Sequence, residues 1–438
     1  MLTRWLIPRR LGCGGAAALA LGLLPALPLL CATSAVAAPS DEVRTSEQWV
    51  LDMLDVQRAW YVSKGAGVTV AVIDSGVYPE ASDLAGAVTS GPDFTRLNTK
   101  PSNPLWGQHG TWMASIIAGR GHDGFDGIVG VAPEAKILSI RVIPDMNDPG
   151  YRHYNAEPEE VIQDELAKGI MAAVRDHAKV ISMSIGYSAP SGAVRKALQY
   201  AYQRGTVLVA SSGNSGDNDT RHAKGFAPVS FPAEYPGVLS VGAVTVDRTP
   251  TQFSSGNLSV KVAAPGKDVP AEGRGDNYYV VAGTSPACAL VAGVAALIES
   301  RYPKITPAQV TEALIGTARQ TAAAQQAAPG DYNVLTGFGI VDAGAALSAA
   351  GKLVKQRPQA SVEPLTGHFG GGAAAVPAPP VSPRGTATLV IFALLTLISF
   401  AAAYAGYRVI RRTNDGGHGG LPGGPPGLPS QESPEAGG

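Results

Sequence analysis

From residue 68 onward, short apolar runs alternate with stretches whose apolar residues recur at helical spacing, and this rhythm restricts the chain to very few architectures. The run 68–73 ends at Asp74, and 136–142, 180–184 and 206–210 read as further strands. Between them Val161, Ile162, Leu166, Ile170 and Val174 recur one helical turn apart, as do Val194, Leu198 and Ala201. Strands separated by helices pair in parallel, and a parallel sheet needs helices on both faces. The expectation is a three-layer α/β/α domain with a mainly parallel sheet. Such sheets carry their working residues at the carboxyl ends of strands, where Asp74 and Asn214 fall.

The flanking segments have a different character. Arg4, Arg9 and Arg10 precede the Ala/Leu-rich stretch 16–30 and the small-residue site Ala35-Val36-Ala37, which reads as a signal peptide over 1–37 cut after Ala37. An N-terminal extension over 38–64 leads into a domain at 65–350. A Pro/Gly/Ala-rich linker at 351–386 follows. The unbroken apolar stretch 387–407 has the length of a membrane-spanning helix. Arg408, Arg411 and Arg412 come next, and the positive-inside rule puts the Gly/Pro-rich tail 408–438 in the cytoplasm as a disordered segment, with the domain outside the cell. Cys13 and Cys31 fall in the signal, so the exported chain keeps only Cys288 and forms no internal disulfide. A formal net charge of −1 lacks the basic excess that nucleic acid demands.

Three segments bear side chains that together do nucleophilic chemistry. Ser285 stands in Gly283-Thr284-Ser285-Pro286-Ala287, His109 in Gly107-Gln108-His109-Gly110-Thr111, and Asp74 at the end of its strand. A serine hydroxyl attacks a carbonyl only when an imidazole takes its proton and a carboxylate fixes the imidazole's tautomer. Each residue alone also suits a bland role: a turn cap for Asp74, an ordinary loop residue for His109, a helix cap for Ser285 with Pro286 at the first helical position. Cys288, one turn after Ser285, is either a reactive thiol or a small buried hydrophobe. Asp123 and Asp126 offer two carboxylates to a cation, fewer than the six to eight oxygens about a calcium ion.

The order Asp74, His109, Ser285, with Ser212-Gly213-Asn214, Phe231-Pro232-Ala233 and Gly337-Phe338-Gly339-Ile340-Val341-Asp342-Ala343 in sequence, resembles the subtilases. The resemblance implies a subtilisin-like fold and a serine endopeptidase working through an acyl-enzyme, without a catalytic metal. It also implies an oxyanion hole from Asn214 and the Ser285 N–H, and peptide binding along Ser184, Ile185, Gly186, Ser211, Ser212 and Gly213. Structural calcium stays open. The short 38–64 segment leaves no room for the long pro-domain of many subtilases. With Trp49, Trp60, the linker and the span, it is similar to the mycosins, membrane-anchored subtilases of type VII secretion. The partners implied are a polypeptide substrate, the membrane and components of that secretion complex. The alternative is a structural or stabilising subunit of such a complex with little proteolysis.

Overall fold

The computed structural model describes residues 3–4, 42–123, 126–217, 227–321 and 332–355, with the isolated Ser399, Ala401, Tyr404 and Ala405. The chain divides into two units, 1–366 and 367–438. Those four isolated residues, all exposed, are what is described of the second.

Seven strands form the main sheet: β1 (Thr69–Asp74), β2 (Val88–Asp93), β3 (Lys136–Arg141), β4 (Val180–Met183), β5 (Val207–Ser211), β6 (Val238–Val244) and β7 (Val260–Pro265). Their spatial order is β7-β6-β5-β4-β1-β3-β2, with every neighbouring pair parallel. β1 is buried from Val70 to Asp74, and successive side chains divide between two cores. Val70 and Val72 face one layer; Ala71 and Ile73 face the other.

The first layer contains α2 (Gln108–Ala118), α5 (Thr284–Arg301), α6 (Pro307–Gly316) and α7 (Ala343–Leu353), together with α1 (Glu42–Met53) near the N-terminus. The second contains α3 (Glu159–Arg175) and α4 (Gly192–Gln203). Helix α5 is apolar all round and buried from Pro286 to Glu299, as a helix enclosed by neighbours must be. Its Ile298 and Leu297 are fully buried, each contributing about 1.5–3 kcal/mol by leaving water.

From residue 42 on, the stretch expected as an N-terminal extension packs into this fold. Leu54, Val56 and Ala59 are fully buried in the first core, and the Leu54 carbonyl accepts a 2.8 Å hydrogen bond from Ala343 N–H. Among the described residues the main sheet is wholly parallel, slightly purer than expected. Most of the expected signal peptide, the linker, most of the 387–407 span and the tail lie outside the described residues. Among the described residues no helix is long and apolar enough to cross a membrane.

Candidate active site

The carboxyl ends of β1, β4 and β5 open onto a cleft of about 1330 Å³. That volume exceeds an ordinary small-molecule pocket and suits a length of polypeptide. His109, Asn214, Ser285, Ser184, Ile185 and Gly186 line it, and no described residue of the 42–64 stretch does.

Asp74 ends β1 and is fully buried. Its Oδ1 lies 2.7 Å from His109 Nδ1 and accepts the Ser75 N–H at 2.7 Å. α2 begins against the turn after β1, with Gly107 and Gly110 close to the Gly76 backbone. A Cβ on Gly110 would stand 2.1 Å from the Gly76 carbonyl, so only glycine permits this approach. Gly110 N–H also donates to Ser75 Oγ at 3.1 Å. The imidazole meets Trp112 edge-on, with ring centroids 6.1 Å apart. Burial disfavours a charged ring at His109. The Asp74 charge and hydrogen bond, joined by the Asp145 charge, outweigh it and hold the ring's pKa above its ordinary value.

Ser285 sits half-buried in the first turn of α5. Its hydroxyl makes no hydrogen bond to His109 in this conformation, although both face the one cleft. The expected helix start is corrected: Gly283 is the N-cap, so Ser285 is the second helical residue and Pro286 the third. Proline is tolerated there because the first four N–H groups of a helix have no intrahelical acceptor. For the same reason the Ser285 N–H has no intrahelical acceptor.

Asn214 follows β5 and is exposed to the cleft. Its Oδ1 accepts Thr284 N–H at 2.9 Å and Thr284 Oγ1 at 3.0 Å. With the oxygen engaged twice, the amide's Nδ2 is the end left to donate. Thr284 Oγ1 in turn accepts the Gly213 N–H at 3.2 Å. Nothing in the sequence signalled this role for Thr284 beyond its place beside Ser285.

Ser184, Ile185 and Gly186 line the cleft. Ser211 and Ser212 do not: they are buried at 4% and 0% exposure, the last residue of β5 and the one after it, below the cleft wall. Gly213 N–H donates to Thr284 Oγ1, which in turn donates to Asn214 Oδ1. Cys288 is fully buried against Ser182 and the Met183 carbonyl, and burial pushes its thiol up to about 11. The hydrophobe reading of Cys288 therefore holds.

Asp145 was missed by the sequence reading. Its Oδ2 accepts Gln108 N–H at 2.8 Å and its Oδ1 accepts His109 N–H at 2.9 Å. A signal existed, since it follows the carboxyl end of β3. Arg274, whose guanidinium lies 3.9 Å from the Tyr78 ring centroid, also lines the cleft.

Asp123 and Asp126 are exposed, and with His122 they bring one ligand atom each within 4.8 Å. This set does not suit calcium. One donor is an imidazole, and Arg44 already takes the Asp126 and Gly127 carbonyls at 3.1 and 3.0 Å. His122 itself is tied at 2.7 Å to buried Asp83.

The subtilase family model, peptidase S8, matches residues 65–340. Thermitase of Thermoactinomyces vulgaris is 33% identical over 263 residues, covering 60% of this chain and 86% of thermitase. Mycosin-1 of Mycobacterium tuberculosis is 33% identical over 337 residues, covering 68% of this chain and 73% of mycosin-1. The solved MycP3 protease from the type VII (ESX-3) secretion system shares 30% identity with a TM-score of 0.56, over 72% of this chain and 90% of that one. MycP1 from Mycobacterium smegmatis shares 29% identity with a TM-score of 0.55, over 68% and 84%. Family match, relatives and fold agree, and the chain belongs to the subtilase family of serine proteases, which work with an Asp-His-Ser triad.

Proposed function

We propose that this chain is a membrane-anchored extracellular endopeptidase in which Ser285 is the nucleophile, His109 the general base and acid, and Asp74 the orienting carboxylate. The observation that carries the assignment is the 2.7 Å contact of His109 Nδ1 with Asp74, on a ring facing the same cleft as Ser285 and Asn214. With Nδ1–H donated to Asp74, Nε2 is the basic nitrogen.

Peptide backbone extends along Ser184, Ile185 and Gly186. Ser285 Oγ attacks the scissile carbonyl carbon as its proton passes to Nε2, and the carbonyl oxygen becomes an oxyanion held by Asn214 Nδ2–H and the Ser285 N–H. The Ser285–His109 hydrogen bond closes in the substrate complex, since such bonds are often long in free enzymes. The C–N bond breaks, the leaving amine takes the proton from Nε2, and an acyl-serine remains. Water, deprotonated by the same nitrogen, releases the acid and restores Ser285. The positive end of α5 lies under the oxyanion and favours it.

Similarity to mycosin-1, MycP1 and MycP3 supports association with a type VII secretion complex, and the apolar stretch 387–407 supports the anchor. The full-length protein should react with a fluorophosphonate probe, and Ser285→Ala should not. Absence of labelling in the folded wild type would overturn the enzymatic assignment. Deleting 387–438 should release the protein from membranes on fractionation; retention would sink the anchor. Secretion should be impaired by Ser285→Ala, and normal secretion with that variant would detach proteolysis from the pathway.

A further inference from the structure

A histidine used as a base at the start of a helix is poorly placed by default. The first turn of a helix carries roughly half a positive charge, which opposes protonation of a nearby imidazole. His109 is the second residue of α2. The N-cap of this helix, Gly107, has φ 71° and offers no side chain to close the turn. The loop after β3 supplies one from outside the helix, with Asp145 receiving both the Gln108 and His109 N–H groups.

We propose that Asp145 is a positioning residue for His109, its carboxylate closing the first turn of α2 and offsetting the positive helix end so that the imidazole is held for Asp74 to orient. The inference rests on the role assigned to His109 above. Both oxygens of Asp145 act as acceptors, which is the pattern of an ionised carboxylate. Its own loop is fixed from below. Asp145 O accepts Asp148 N–H at 2.9 Å, and Asp148 pairs with buried Arg141 at 2.8 Å and accepts Thr99 Oγ1 at 2.8 Å. Arg141 belongs to β3, whose register sets it beside Asp74, so one strand pair aligns both carboxylates that hold the histidine.

The charged groups at this end of the cleft are few. Asp74 reaches His109 from β1 and Asp145 from the loop after β3; Arg274 lies on the 269–281 hairpin, and Glu80 accepts from Tyr78 OH at 2.7 Å. Glu272, on the same hairpin, accepts from Ser82 Oγ and Asp83 N–H, with its main chain at Ser115. From α5 the facing group is the neutral Ser285 hydroxyl. The field of Asp145 adds to that of Asp74 in raising the His109 pKa, while burial opposes both.

The test uses the full-length protein and the rate of fluorophosphonate labelling as a function of pH. In Asp145→Asn, the acid limb should move to lower pH by roughly half a unit or more, as one nearby negative charge is removed. The plateau rate should fall about tenfold through loss of alignment. Asp145→Glu keeps the charge, so its limb should stay in place even where its plateau falls. In a Ser285→Ala background, the titration of His109 read by imidazole NMR should shift down with Asp145→Asn. A limb and a titration midpoint both unmoved by Asp145→Asn would overturn the proposal, whatever happens to the plateau. Failure of the wild type to label would instead remove the catalytic assignment, and the NMR midpoint would still decide whether Asp145 acts on His109.

Discussion

Thr284→Val isolates the scaffold behind the proposed oxyanion donor, Asn214. Threonine and valine have nearly the same shape, and Thr284 is 1% exposed, so the change deletes a hydroxyl with little else. Two hydrogen bonds go: Oγ1 to Asn214 Oδ1 at 3.0 Å and Gly213 N–H to Oγ1 at 3.2 Å. Loss of the first costs about 0.5–1.5 kcal/mol, and leaving the Gly213 N–H unpaired costs about 1–3 kcal/mol. The melting temperature should fall by several degrees, at about 2–4 °C per kcal/mol for a domain of this size. The kinetic loss should be smaller than removal of the donor itself, which costs about 2.7–4 kcal/mol. Asn214 keeps its 2.9 Å bond from the Thr284 N–H, so half the anchorage remains. A loss of about 1–2 kcal/mol follows, or about 5- to 30-fold in kcat. KM should hardly change, because the proposed oxyanion donor would meet a charge that exists only in the transition state. The assay is hydrolysis of a fluorogenic peptide chosen from an unbiased cleavage profile. The decisive variant is the double one. If Thr284 works through Asn214, then Asn214→Ala and Asn214→Ala/Thr284→Val should have equal kcat values within twofold. A full additional loss from Thr284→Val on the Asn214→Ala background would refute this account of the amide.

Other consequences are as direct. Asp74→Asn should lower kcat by about 10⁴, the effect of presenting the wrong tautomer in an Asp-His-Ser triad, with the fold retained by circular dichroism; a loss below tenfold would mean that another group orients His109. Burial pushes Glu299 on α5 up to about 8, against the field of Lys179. Its folded form binds a proton that the unfolded chain has released, so stability contributed by protonation is present at low pH and lost as pH rises through about 8. Glu299→Gln should therefore gain on the order of a few kcal/mol over wild type at pH 9 and little at pH 5 in urea unfolding; equal gains at both would contradict a buried acid. Cys288, with its thiol pushed to about 11 and no exposed surface, should resist iodoacetamide at pH 8 until the protein is denatured. Alkylation of native protein at the denatured rate would refute that burial.

Much of this architecture is legible because local composition and tertiary environment agree. β1 and β4 are short apolar runs, and both become buried sheet strands. Asp74, His109, Asn214 and Ser285 could be singled out because each lies in a short string whose glycines permit close backbone approach. What stayed illegible depends on partners far along the chain. Asp145 stands 36 residues from the backbone N–H it caps, in an otherwise undistinguished Ile-Pro-Asp. Leu54, Val56 and Ala59 looked like part of an appended extension because their covering surface includes α7, near the far end of the domain. Ser211 and Ser212 were placed on the cleft wall by adjacency to Asn214, but a strand with helices on both faces buries its last residues, and the chain reaches the cleft only after Gly213, at φ 104°, turns it.

The two helices that meet at this site face opposite electrostatic demands. At α5, the proposed attack by Ser285 would accumulate negative charge, so its N–H groups should remain unspent until the oxyanion forms. Its N-cap is glycine with no side-chain cap, and the one polar group at its first N–H is the Asn214 oxygen, whose own amide then turns toward the substrate. At α2, the proposed role of His109 needs a positive charge to develop on its ring, for which the same kind of helix end is a hindrance, and here Asp145 accepts its first N–H groups. Exchanging those treatments would damage both steps. A carboxylate at the start of α5 would repel the oxyanion, and an unclosed α2 would resist imidazolium formation. On the proposed roles, the difference between the two helix starts would let one cleft stabilise charges of both signs in the same transition state.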